Sequence, residues 1–180
     1  MRALINRLRS DEALMLAYQR GDGDAFECLY LRHKDGLYAF LYHSYPRLAV
    51  VEELAQDAWL GVVNSAATYR PRAQFRTWLY QIARNRLADF RRRRDNNHAS
   101  LEEVPEPLAD AGGDKRLALQ RQLMSAIAEL PAAQREALLL QEQGFSLREI
   151  AAVTGEGEET IKSRLRYARG QLRQLLGDRI

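Results

Sequence analysis

Ser146-Leu147-Arg148-Glu149-Ile150-Ala151-Ala152-Val153-Thr154-Gly155, a short turn, then Thr160-Ile161-Lys162-Ser163-Arg164-Leu165-Arg166-Tyr167-Ala168-Arg169 decide the fold of the last third of the chain. Ala151 is small where two helices must cross closely. Gly155 follows four residues later where the chain must turn, and Ile161 six further on supplies the second helix's inward anchor. This is the spacing of a helix-turn-helix, and it makes DNA the first partner to consider. From Lys162 to Arg173 there are five basic residues and no acid, so the faces away from the apolar stripe Ile161, Leu165, Ala168, Leu172 and Leu176 are free to meet phosphate. Glu156, Glu158 and Glu159 together put negative charge at the entrance of the second helix, favourable to its dipole and repulsive to nearby phosphate.

Working outward, helical periodicity recurs along all 180 residues and strand signals are nearly absent, which predicts an all-α protein. A short helix is expected from about Asp11 to Arg20 with Ser10 as N-cap and Gly21-Asp22-Gly23 as its stop. Asp24 is placed to cap the next, whose apolar face is Phe26, Leu29, Tyr30, His33, Leu37, Phe40 and Leu41 until Tyr45-Pro46 interrupts it. A third, from about Ala49 to Tyr69, sets Val51, Leu54, Ala55, Ala58, Trp59, Val62 and Val63 against Glu52, Glu53, Gln56 and Asp57. After the loop Arg70-Pro71-Arg72-Ala73-Gln74, a fourth runs from Phe75 to about Arg94. Its Trp78, Ile82, Leu87 and Phe90 read as an inner stripe and Tyr80 as an outward ring.

Net charge is only +3, yet nine arginines face the single acid Asp89 between Arg70 and Arg94. Aromatics interleaved with guanidinium groups suit single-stranded nucleic acid; a core helix with a solvated basic side has the same composition, and both readings stand at this point. Only three of 27 basic residues are lysine, which favours planar forks suited to phosphate and base edges, although a coding bias gives the same skew.

Between Asn96 and Asp114 periodicity disappears. Pro105, Pro107, Gly112, Gly113 and five acids take over, the composition of a linker. The predicted plan is two small helical domains, 1–95 and 115–180, joined by a flexible acidic linker over 96–114. The second domain is expected to hold helices at about Lys115 to Glu129, Pro131 to Gln143, Ser146 to Thr154 and Glu158 to Leu176.

Cys28 stands alone on an apolar helix face, which excludes an intrachain disulfide and reads as core packing in a reducing compartment. His33, His43 and His98 have no ligand-spaced partners, so no metal or cofactor is predicted, and His33 reads as a satisfied core histidine. Arg2, Asn6, Arg7 and Arg9 break up the first ten residues, so neither a signal peptide nor membrane insertion is expected and the protein is placed in the cytoplasm.

Taken in order, three motifs resemble those of the bacterial RNA polymerase sigma factors of the sigma-70 family, in the compact extracytoplasmic-function group. Glu53-Leu54-Ala55-Gln56-Asp57-Ala58-Trp59 is similar to the family's polymerase-binding helix. Phe75-Arg76-Thr77-Trp78-Leu79-Tyr80-Gln81-Ile82-Ala83-Arg84-Asn85-Arg86 resembles its promoter-melting segment. Leu130-Pro131-Ala132-Ala133-Gln134-Arg135-Glu136-Ala137 with the helix-turn-helix resembles its second domain, except that Glu156 stands where the family usually has a small apolar residue and Gly157 where a capping serine or proline is common, departures expected to loosen the turn. The resemblance implies a non-enzymatic subunit that binds core RNA polymerase and promoter DNA and is held by an anti-sigma factor. It implies polymerase docking by Glu53, Gln56 and Asp57, and minus-ten recognition by Arg70, Arg72, Gln74, Arg76, Tyr80, Gln81, Arg84 and Asn85, ahead of Trp78. Arg91 to Arg94 would hold phosphates. Minus-thirty-five recognition falls to Thr160, Lys162, Ser163, Arg164, Arg166 and Tyr167. Two other classes compete: a helix-turn-helix regulator that binds duplex DNA without polymerase, and a DNA-processing enzyme, for which the acids lack a clustered arrangement.

Overall fold

The computed structural model describes Asn6, residues 8–96 and residues 115–177, and among these every regular element is helical. Most of the expected linker, residues 97–114, lies outside the described residues, as does most of the N-terminal segment before Leu8. Backbone contacts divide the chain into two compact units. One comes from the first half; the other takes the second half together with Tyr42–Leu48, a short stretch that the sequence assigned to the first domain.

In the first unit, α1 (Asp11–Gln19) starts where the Ser10 hydroxyl accepts the Ala13 N–H at 3.2 Å, and Asp11 and Glu12 occupy its positively polarised first turn. It stops at Gly21, held at φ +93°, and buries Leu14, Met15 and Ala17. Helix α2 (Gly23–Ser44), of which this unit takes all but the last three residues, is capped by Asp22, whose Oδ1 accepts the Ala25 N–H at 3.3 Å; Asp24, expected as the cap, sits instead in the first turn. Helix α3 (Leu48–Ser65) tightens into a 3-10 turn over Ala66–Thr68. After the loop Tyr69 to Gln74, α4 (Phe75–Asn96) runs on through the arginine cluster.

The core sits among these four helices. Leu14, Met15, Leu29, Leu37, Phe40, Leu41, Val51, Phe75 and Leu79 are fully enclosed, each contributing about 1.5–3 kcal/mol of burial relative to exposure. Phe26 meets Trp59 edge-on at 5.8 Å and Tyr18 at 4.8 Å, which joins α1, α2 and α3. His33 is satisfied as expected: its Nε2 lies 2.7 Å from Asp11 Oδ2, and its ring packs 5.6 Å from Phe75. Cys28 is only half-buried.

The second unit carries α5 (Lys115–Glu129), α6 (Ala132–Glu142), α7 (Leu147–Thr154) and α8 (Glu158–Leu176), with α5, α6 and α7 all packed against α8. Pro131 is the N-cap of α6, one position before the helix begins, and its carbonyl accepts from the N–H groups of Gln134 and Arg135. The run Ala137 to Leu140 is wholly buried beside Phe145, Ile150, Val153, Ile161, Leu165 and Ala168.

Candidate nucleic-acid interface

The loop between α3 and α4 forms one wall of a concavity of about 470 Å³, lined by Ser65, Thr68, Tyr69, Arg70, Arg72, Ala73, Trp78 and Gln81. That volume falls in the range of about 300–1,000 Å³ usual for small-ligand sites. Its walls combine an indole, two guanidinium groups, an amide and hydroxyls, so it offers both a stacking surface and hydrogen-bonding groups to an unpaired base. Tyr69 packs on Trp78 with ring centroids 4.9 Å apart. Its phenol is pushed up to about 12 by burial and by the nearby charges of Glu12 and Asp11, and so stays neutral. The Arg70 Nη1 donates to the Tyr69 carbonyl at 2.8 Å, fixing that side chain against the loop backbone.

Of the residues assigned to minus-ten recognition, Arg70, Arg72 and Gln81 line this concavity. Gln74, the last loop residue, and Asn85 of α4 are exposed, and Arg76 and Arg84 of α4 are half-buried, all outside the lining. Tyr80 corrects the sequence reading. Its ring is only 2% exposed and packs 5.3 Å from Phe40, and burial pushes its phenol far above the usual range, so it is a core residue. Trp78 is the half-buried aromatic that reaches the concavity.

On α3, Glu53 and Gln56 are exposed and Asp57 half-buried, one turn of acids and amide on the side away from Leu54, Ala58 and Val62. Leu60, 49% exposed, and Val63 continue the outer surface of the helix with apolar side chains, where the sequence placed Val63 inside. On α8, Thr160, Lys162, Arg166 and Tyr167 are exposed and Ser163 and Arg164 half-buried, while Ile161, Leu165 and Ala168 face the core.

Backbone hydrogen bonds close the turn before α8. Gly155 adopts φ +72°, and its N–H and that of Glu156 both bond to the Ala151 carbonyl, at 2.9 and 3.1 Å. Ser146 and Glu149 form a complete capping box at the start of α7. Gly157 has no side chain with which to cap α8, but Glu156 reaches across to Arg164 at 2.7 Å and Glu159 to Lys162 at 2.5 Å. Two expected DNA-contacting cations are thereby held by acids of the helix entrance.

Residues 29–97 match the family described as Sigma-70 region 2, and residues 120–172 match Sigma-70, region 4. The chain belongs to the extracytoplasmic-function sigma factors of the sigma-70 family. It is 34% identical over 167 residues to the RNA polymerase sigma factor CarQ of Myxococcus xanthus, covering 91% of this chain and 96% of the relative. It is 35% identical over 173 residues to the ECF sigma factor SigM of Mycobacterium tuberculosis, covering 94% and 86%. Among solved structures, the sigma factor RpoE, crystallised with the anti-sigma factor NepR from Bartonella quintana, superposes with a TM-score of 0.73 at 28% identity, over 86% of this chain and 98% of that one. CnrH, solved with the cytosolic domain of CnrY, gives 0.74 at 26% identity over 96% and 100%.

This sigma factor therefore serves promoter-directed transcription initiation, a role in which specificity is contributed to RNA polymerase. None of its described helices is long and apolar enough to cross a membrane. Ser65 and Thr68 of the concavity were not singled out in the sequence because they sit at the end of a helix and in the 3-10 turn after it, where no periodicity marks which way a side chain faces. The Tyr80 misassignment had a signal: Phe75, Leu79, Ala83 and Leu87 recur every four residues, and Tyr80 stands three before Ala83 and seven before Leu87 on the edge of that stripe.

Proposed function

We propose that the sigma factor docks on core RNA polymerase through Glu53, Gln56 and Asp57 of α3, captures an unstacked base of the minus-ten non-template strand in the concavity beside α4, and seats α8 in the major groove of the minus-thirty-five element. The single observation that carries this reading is the concavity, which gathers Arg70, Arg72, Trp78 and Gln81 at one place on the first unit. Unstacking a base costs a few kcal/mol, and stacking on an aromatic ring returns about 1–3 kcal/mol per base, so a half-buried indole flanked by donors can make capture nearly neutral. Arg91 to Arg94 add phosphate contacts without sequence preference, with affinity that falls as salt rises. Arg76, Arg84 and Asn85 extend the strand path along α4, with Gln74 at its start. Thr160, Lys162, Ser163, Arg164, Arg166 and Tyr167 meet duplex DNA.

The resemblance to RpoE in complex with NepR supports an anti-sigma factor as a further partner. A protein that works with polymerase on promoters is assigned to the cytoplasm and is not itself an enzyme. A regulator acting without polymerase is not favoured, since both family segments are present in one chain.

The test is reconstitution with core enzyme, with Glu53→Lys plus Asp57→Lys as one variant and Trp78→Ala as another. The first should lose polymerase binding; the second should keep it but lose permanganate-detected opening at the minus-ten element. Polymerase binding unaffected by the paired charge reversal, or opening unaffected by loss of the indole, overturns the respective assignment.

A further inference from the structure

Helix α1 precedes the segment matched to Sigma-70 region 2, and none of the proposed DNA-reading side chains lies on it. Yet it grips both ends of the loop that lines the concavity. Gln19 Nε2 donates to the Ala66 carbonyl at 2.5 Å and to the Tyr69 carbonyl at 2.9 Å. Two turns earlier, Glu12 Oε1 accepts the Phe75 N–H at 2.9 Å. Seven residues separate Glu12 from Gln19, so both project from one face of α1, and that helix packs against the 3-10 turn on one side of the loop and α4 on the other.

Two of these contacts satisfy groups that the local backbone leaves open, while the Ala66 carbonyl accepts the Tyr69 N–H at 3.2 Å besides Gln19. Phe75 is the first residue of α4, where N–H groups have no intrahelical acceptor, and a carboxylate there is further favoured by the helix dipole. Tyr69 follows the last residue of the 3-10 turn, so its carbonyl has no place in a helical ladder; it receives Gln19 and Arg70 instead. The separation of the two loop ends is thus set by a rigid helix anchored in the core through Leu14, Met15 and Ala17.

We propose that α1 is a brace that pre-organises the base-capture loop, with Gln19 and Glu12 as positioning residues for minus-ten strand recognition. The proposal rests on the reading of the concavity as the base site. A loop held in shape before DNA arrives need not be ordered by it; without the brace, that ordering cost falls on strand binding.

The experiment uses holoenzyme assembled with core RNA polymerase and a single-stranded oligonucleotide carrying the minus-ten sequence of a promoter mapped after forced expression. Matched oligonucleotides carry an abasic site at each minus-ten position in turn, and the position where Trp78→Ala abolishes the preference for an intact base defines the captured nucleotide. Gln19→Met and Glu12→Ala should then weaken the intact strand about threefold to tenfold, the worth of one or two hydrogen bonds, while leaving the abasic strand unchanged. Glu12→Gln keeps an acceptor of the same shape and should stay within about twofold of the parent. Polymerase binding and tryptophan-detected unfolding check that the variants remain folded.

If the brace variants keep full affinity for the intact strand, or weaken intact and abasic strands alike, while Trp78→Ala still removes the preference, the brace is refuted and the base site stands. If Trp78→Ala leaves the preference intact at every position, the base site itself fails, and the brace with it.

Discussion

Gly61 of α3 lies against Ile82 of α4, and replacing it with alanine should destabilise the first unit even though alanine is the better helix former. A Cβ at this buried position would stand 2.8 Å from Ile82 Cγ2, with Arg86 Nη2 at 3.9 Å. Carbon atoms pack best at about 3.5–4.0 Å, so the methyl is roughly 0.7 Å or more too close. Ile82 cannot swing aside cheaply, because a β-branched side chain in a helix has one strongly preferred χ1. The helices must move apart, at the cost of about 1–3 kcal/mol typical of overpacking, against a helix-propensity gain of about 1 kcal/mol. The expected net loss is about 1 kcal/mol, reaching about 2 kcal/mol if α4 cannot yield. Both tryptophans, Trp59 and Trp78, belong to the first unit, so urea unfolding followed by their emission reads this unit selectively. In an Ile82→Ala background the obstacle is gone and Gly61→Ala should become stabilising, by up to about 1 kcal/mol. A neutral or stabilising effect of Gly61→Ala alone, or no change of sign in the double variant, would refute the packing account.

Gly170 gives the opposite expectation within α8: an added Cβ meets nothing within 4 Å, so Gly170→Ala should raise the stability of the second unit by up to about 1 kcal/mol, measured by calorimetry. Glu156→Ala releases Arg164 and removes an acid from the entrance of α8; affinity for minus-thirty-five duplex should rise and depend more steeply on salt, with folding stability changed by less than about 1 kcal/mol because the pair is partly exposed. Asp11 should contribute to acid sensitivity. Burial by itself would raise its carboxyl, but hydrogen bonds from His33 and Arg32, with their charges, outweigh it and hold the group below the usual carboxylate range. A lowered folded-state value means stability present above the unfolded value near about 3.9 and lost as pH falls through the folded one, so the advantage of wild type over Asp11→Asn should shrink progressively as pH falls below about 4. A difference that persists unchanged to lower pH, read by tryptophan emission, would count against this assignment.

The helix-turn-helix was legible because its constraints are local: Gly155 provides a left-handed residue, Ser146 and Glu149 cap one helix, and Ile161 points inward at helical spacing from Leu165 and Ala168. The acidic face of α3 was legible for the same reason. Trp78 and Tyr80 were exchanged because hydrophobicity alone orders them wrongly. Two residues apart on one helix, they face different ways, and the side that meets α2 through Phe40 takes the tyrosine. The brace left no mark in the sequence. Glu12 and Gln19 look like ordinary polar positions on a short helix, and their acceptor and donor partners lie 47 to 63 residues away in an irregular segment.

Most directly, the central claim is tested by mapping transcription starts made in vitro by core RNA polymerase with and without this chain on fragmented genomic DNA. The account predicts new starts preceded by one shared pair of elements at fixed spacing, with Trp78→Ala erasing preference at a single minus-ten position. Starts unchanged by adding the chain, or new starts with no shared upstream pair, would contradict it.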